Sequence, residues 1–234
     1  MLKFLALILL ALPCPAYGKS ITVNMKDGNT FEVADVVSFD IVNPLVKALL
    51  ESKAKTITLV INSPGGEVTS GLYLLNTMAL KQARGTKFRC VTTSLAASMA
   101  FQIFAACDVR YALPNTFLLY HPVRISLGGD MFSPAVTLTP RLARELAYDL
   151  ERIERILVRD LRRWMPVSNK TFFRNYHAET LLLAREVNVD SPNWLTIVDD
   201  IKGLKSIQLG VSNHAEGRFI YICDKCTNLD QARQ

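Results

Sequence analysis

The apolar run Ile57-Thr58-Leu59-Val60-Ile61 breaks abruptly at Asn62-Ser63-Pro64-Gly65-Gly66. A strand without polar alternation is buried on both faces, and that environment belongs to a parallel sheet covered by helices. The residues that follow keep to this pattern. Val68, Leu72, Leu75, Met78 and Ala79 recur at helical spacing over 68–83, and 88–93 reads as the next strand. Residues 96–107 are small and apolar all round, which marks a buried helix. Residues 109–112 and 117–120 are further strands, separated by a turn at Pro114-Asn115. Strand, helix, strand, helix, strand in succession predicts an α/β crossover fold with a parallel sheet.

The flanks extend this frame. Residues 20–24 alternate as a strand, Lys26-Asp27-Gly28-Asn29 is a turn, and 31–33 returns as a short strand. Ile41, Val42, Leu45, Val46, Leu49 and Leu50 predict a helix over 38–52, capped by Asp40 or Asn43. Leu127-Gly128-Gly129 is a break. Thr139 as N-cap and Pro140 as first helical residue then start a helix that runs to about Trp164. Its stripe of Leu142, Leu146, Leu150, Ile153, Leu157 and Leu161 is longer than one small domain needs, so a homo-oligomer built through 140–164 is expected. Helices are predicted at 168–173 and at 180–187, the latter ended by Asn188, and strands at 194–198 and 219–223.

The chain has 234 residues, half of them hydrophobic, which suits a single domain with a sizeable core over 19–234. Much of the net charge of +6 lies between Arg141 and Arg163, interleaved with Glu145, Asp149, Glu151, Glu154 and Asp160. That alternation is a solvated helix face and argues against nucleic acid as a partner. At the N-terminus, Lys3 precedes the apolar run 4–12, short for a bilayer span, and Ala16 and Gly18 are small residues two apart. Residues 1–18 therefore read as a secretory signal peptide, with an uncleaved membrane anchor as the alternative. The expected location is exported, periplasmic or otherwise extracytoplasmic.

Export bears on the five cysteines. Cys14 leaves with the leader, and the remaining four can pair in an oxidising compartment. Cys223 and Cys226 have the spacing of half a zinc site, but no second pair stands at ligand spacing, so no metal is expected. Cys90 to Ser94 rises about 13 Å as a strand, and Ser98 to Cys107 returns about 13.5 Å as a helix. The two sulfurs come to similar height, though free buried thiols are favoured there over a bond. At least one disulfide is expected, with Cys223–Cys226 the better candidate.

Three features carry chemistry. Gly65-Gly66 lets the backbone turn with its N–H groups facing a cleft at the start of a helix, an anion site or simply a tight turn. Ser98 enters the buried helix after a strand, in the manner of a nucleophile elbow, with Ser94 as its rival. His121 closes an apolar strand just before Pro122. An oxyanion hole, a nucleophile and a base are the parts acyl transfer needs.

Taken together, Ile61-Asn62-Ser63-Pro64-Gly65-Gly66, Ala96-Ala97-Ser98-Met99, Arg110-Tyr111-Ala112-Leu113-Pro114-Asn115 and His121-Pro122 resemble the Clp protease proteolytic subunit family, ClpP. The resemblance implies a ClpP/crotonase-like spiral of βαβ units, with 140–164 as the protruding handle helix that joins subunits. It implies Ser98 as nucleophile, His121 as base, the backbone N–H groups of Gly66 and Met99 as oxyanion hole, and no cofactor. Three departures stand out. Aligning Ala184-Arg185-Glu186-Val187-Asn188 with the family's helix end puts the triad acid near 175–177, where no acid stands, leaving Asn175 to orient His121 by hydrogen bond. The leader separates the chain from cytosolic ATPase partners. Phe101 and Gln102 replace the small residue typical after Ser-Met.

The resulting expectation is an exported serine endopeptidase that cleaves peptides or unfolded protein segments through an acyl-enzyme on Ser98. A crotonase-like acyl-CoA enzyme and a non-catalytic peptide-binding oligomer are the rivals.

Overall fold

A computed structural model of the protein describes residues 22–24, 29–124, 139–191, 193–198 and 200–202. The expected leader, the break at 127–129, the strand at 219–223 and Cys14, Cys223 and Cys226 lie outside the described residues. Among the described residues no helix is long and apolar enough to cross a membrane.

The central sheet runs β2 (Thr30–Val37), β3 (Thr56–Gly66), β4 (Lys87–Ala97), β5 (Val109–Ala112) and β8 (Thr196–Ile197), every neighbouring pair parallel. Helices α1 (Phe39–Glu51), α2 (Val68–Ala83) and α3 (Met99–Ala105) are the crossovers between these strands. Leu59 and Ile61 on one face of β3 join the main core with Val46, Leu74, Met78 and Phe104, while Val60 on the other packs with Val91 and Val198. Burial on both faces is what the unalternating run at 57–61 required. A separate two-stranded ladder pairs β1 (Thr22–Asn24) with β9 (Asp200–Lys202).

Strand β4 forks. Its first half pairs with β5, and its last residues, Leu95 to Ala97, pair with β6 (Phe117–Leu119). The fork keeps 94–97 in the sheet, so α3 starts at Met99 rather than at the predicted 96. At its outer edge β6 pairs antiparallel with β7 (Leu182–Leu183), which leads into α6 (Ala184–Asp190). The predicted helix over 180–187 is thus a strand followed by a helix that passes Asn188 and ends at Asp190. The cap of α1 is also revised: Ser38 holds the N-cap position, ahead of Asp40 and Asn43.

Helix α4 (Pro140–Trp164) begins as predicted, with the Thr139 side chain accepting from the Leu142 N–H at 3.2 Å. Of its apolar stripe only Leu157 and Leu161 are buried against this chain, while Leu142, Leu146 and Leu150 stay partly open and Tyr148 is 60% exposed. The helix is rooted at its C-terminal end and projects at its N-terminal end. Helix α5 (Asn169–Ala178) follows, capped by Ser168 and longer than the predicted 168–173.

Behind the sheet's carboxyl ends, Tyr120 stacks on Phe101 and on Phe172, both with ring centroids 5.2 Å apart, which locks α3 to α5. Arg110 secures the other end of α3: its guanidinium donates to the Ala105 carbonyl at 3.1 Å and to the Cys107 carbonyl, and its Nε to the Trp194 carbonyl at 2.8 Å. Burial pushes the Arg110 pKa down to about 10, and nearby Asp108 opposes that shift.

Cys90 and Cys107 form a disulfide across Cα atoms 5.9 Å apart, where free thiols were favoured from the sequence. The strand and helix do return to one height, and packing of α3 on β4 also closes the lateral gap that sequence reasoning leaves open. A crosslink spanning 17 residues contributes about 3 kcal/mol in chain-entropy terms. Peptide mapping of unreduced protein alkylated under denaturing conditions should recover the segments around Cys90 and Cys107 as one crosslinked species. Recovery of both cysteines alkylated would contradict the bond.

Candidate active site

The site lies where β3, β4 and β6 end. Ser98 joins β4 to α3 with φ 54° and ψ −123°, a combination that costs a residue with a side chain about 1–3 kcal/mol. Three contacts hold it there. Its N–H donates to the Leu119 carbonyl at 2.8 Å, its carbonyl accepts from the Gln102 N–H at 3.2 Å, and Gly65 packs against its Cβ. Ser98 is half-buried, in the kind of strand-to-helix turn at a sheet's carboxyl end that a nucleophile elbow occupies. Its rival Ser94 sits within β4.

Glycine is required at 65 on two counts. Its φ is +95°, and a Cβ there would stand 2.5 Å from Ser98 Cβ, 2.6 Å from the Ala97 carbonyl oxygen and 2.9 Å from the Met99 nitrogen. The glycine turn therefore lies directly against the serine turn, and the Met99 N–H lies beside it. Being the first of α3, that N–H has no acceptor within the helix. Ser63 secures the arrangement from below: its buried hydroxyl donates to the Asp35 carbonyl and accepts from the Gly65 N–H at 3.1 Å. Asp35 itself has φ 58° at the bulge where the β2–β3 register shifts.

Ser98, Gly66, Met99 and His121 line one cleft of about 210 Å³, together with Val68, Gln102, Tyr120 and Leu157, while Pro122, Val123 and Arg124 form its outer edge. The structure thus brings together the four residues that the sequence marked as nucleophile, base and oxyanion donors. His121 Nδ1 lies 2.6 Å from the Pro122 carbonyl oxygen. A carbonyl only accepts, so this contact puts the proton on Nδ1 and leaves Nε2 as the basic nitrogen.

Asn175 does not line this cleft. It is buried behind Tyr120, whose hydroxyl it hydrogen-bonds, and its Oδ1 accepts from Arg174 Nε at 3.3 Å. A carboxylate on which the charge of His121 acts is Glu179, which the sequence reading passed over. Glu179 caps the C-terminus of α5 in the left-handed conformation, φ 50° and ψ 46°. Its side chain pairs with Arg124, and that hydrogen bond, joined by the charges of Arg124 and His121, holds its pKa below the usual glutamate range. The sequence signal was present: Glu179 stands just before the apolar Leu181-Leu182-Leu183 run that returns the chain to the sheet. Among the described residues no cluster of His, Cys, Asp and Glu is arranged to hold a metal ion.

Comparison with known proteins places this geometry. The family model for Clp protease matches residues 28–161, which includes Gly66, Ser98 and His121 and stops short of Asn175 and Glu179. The chain is 36% identical over 148 residues to the ATP-dependent Clp protease proteolytic subunit of Leuconostoc citreum, covering 57% of this chain and 72% of that protein. It is 37% identical over 100 residues to the ATP-dependent Clp protease proteolytic subunit 2 of Thermobifida fusca, covering 42% of this chain. The Bdellovibrio bacteriovorus ATP-dependent Clp protease proteolytic subunit is 33% identical over 126 residues, covering 53% of this chain. The chain spans about half the length of the Thermobifida and Bdellovibrio relatives, 48% and 57% respectively.

The contact between residues 65 and 98 yields a direct expectation. Gly65→Ala should destabilise the protein by at least about 2 kcal/mol, since strain and overlap act together. Chemical denaturation measures it, and a variant as stable as wild type would refute the close approach.

Proposed function

The chain belongs to the Clp protease family, and from that premise we propose that it is a serine peptidase acting through an acyl-enzyme on Ser98. The observation that carries the proposal is the strained Ser98 opening into the cleft that His121, Gly66 and Met99 line. In this reading Ser98 Oγ attacks the peptide carbonyl while His121 Nε2 takes its proton and returns it to the leaving amine. The N–H groups of Gly66 and Met99 hold the developing oxyanion, each worth about 3 kcal/mol. Glu179 stabilises the imidazolium by charge, and Arg124 holds Glu179 in place.

The acyl-CoA rival loses ground because the matching model and the relatives are proteases. The non-catalytic rival rested on a missing acid, a role for which Glu179 is the candidate. Substrates are peptides or unfolded segments, in keeping with a cleft of about 210 Å³. The partly open N-terminal half of α4, with Leu142, Leu146 and Leu150, supports assembly with further copies of this chain. Sedimentation velocity at micromolar concentration should give an oligomer, and a monomer throughout would argue against assembly. The apolar run at 4–12 supports export without an ATPase partner. N-terminal sequencing of the secreted protein should begin at Lys19, and material retained in the cytoplasm would contradict export.

Hydrolysis of a fluorogenic peptide tests the catalytic assignments. Ser98→Ala should abolish turnover, and His121→Ala should be nearly as severe, since the two act as a unit. Glu179→Gln should lower kcat at least about tenfold, whereas Asn175→Ala should leave kcat within about twofold. Equal turnover by wild type and Ser98→Ala would end the peptidase reading. A kcat that falls with Asn175→Ala and not with Glu179→Gln would make Asn175 the partner of His121.

A further inference from the structure

Gln102 sits one helical turn beyond Ser98 in the wall of the cleft. It is only 6% exposed, and its Oε1 is buried without a hydrogen-bond partner among the described residues. An unpaired buried amide oxygen is destabilising, and such orphans call for a functional explanation. Apart from the catalytic groups, the cleft is lined by apolar Val68, Leu157, Pro122 and Val123, with Tyr120 and Arg124 beside them. Its volume of about 210 Å³ lies below the roughly 300–1,000 Å³ of sites for drug-sized ligands. One unbranched side chain fits it.

From these observations we propose that Gln102 makes the cleft selective for a carboxamide side chain, glutamine or asparagine, on the residue whose carbonyl Ser98 attacks. The inference rests on the peptidase reading and names its substrate class. A primary amide offers two N–H donors and one acceptor, the complement of the Gln102 amide itself. The terminal torsion of Gln102 is broad and two-fold, so its oxygen turns toward an entering donor at little cost. An aliphatic side chain fills the same space and leaves Oε1 orphaned. A lysine or arginine brings a donor, but also a charge that no carboxylate among the described cleft-lining residues offsets. A site built to hydrogen-bond a substrate rejects the analogue that lacks the group, because its own polar atom is then left unpaired.

The test pairs glutamine with methionine, which is nearly isosteric and lacks the amide. Fluorogenic peptides differing only in that residue should show kcat/KM for glutamine on the order of tenfold above methionine in the wild type. Gln102→Met should reverse the order. It should also raise the melting temperature, because it removes the orphan, whereas a Gln102 with a purely structural role would make the variant less stable. Binding supplies a readout that needs no turnover. Ser98→Ala should hold a fluorescein-labelled product peptide ending in glutamine on the order of tenfold more tightly than one ending in methionine. Methionine equal to or better than glutamine in that binding assay would overturn the inference, whatever becomes of the hydrolytic activity. Loss of hydrolysis with the binding preference intact would count against the peptidase reading alone.

Discussion

The contact between Gly65 and Ser98 is the constraint the rest of the site depends on. Two turns from different strands meet at backbone distance, with no room for a Cβ between them. Glycine at 65 lets β3 end against the serine, and the serine's positive φ is tolerated because three neighbours hold it. The strain at Ser98 is offset by the surrounding fold: the Leu119 carbonyl fixes its N–H, and the Ser63 hydroxyl ties the glycine turn to the bulge at Asp35. The proposed oxyanion donors and nucleophile are thus parts of one interlocked backbone arrangement.

Around that centre the supports run outward in a connected series. Tyr120 closes β6 and stacks on Phe101 of α3 and Phe172 of α5, so the histidine that follows it emerges from a fixed point. Arg110 binds the far end of α3 to the segment at Trp194. Helix α4 also reaches the site, since Leu157 is both its root in the core and a wall of the cleft.

The fold was legible wherever a local pattern had a single solution. Unbroken apolar residues at 57–61 meant a two-sided buried strand, and Thr139-Pro140 meant a helix start. What escaped was set by contacts remote in sequence. The fork in β4 is imposed by two different partner strands, so small residues at 96–97 that look helical remain in the sheet. The same difficulty hid Glu179. With Ala184-Arg185-Glu186-Val187-Asn188 taken as the family's helix end, the position for an acid fell at 175–177. The chain instead ends α5 at a left-handed residue, crosses as a strand at 182–183 and only then resumes a helix. The placement of Glu179 is a property of that left-handed step, which glutamate seldom adopts. The Cys90–Cys107 bond depended likewise on a lateral distance that rise per residue cannot supply.

The central claim is that Ser98 is an activated nucleophile, and covalent labelling addresses it most directly. A fluorophosphonate probe reacts with a serine whose proton a neighbouring base can take and whose oxyanion is stabilised. Incubation of the intact protein with the probe, followed by peptide mass spectrometry, should place the adduct on Ser98 and on no other serine. The label should be lost in His121→Ala. A wild-type protein that stays unlabelled, or one labelled at Ser94 instead, would contradict the account.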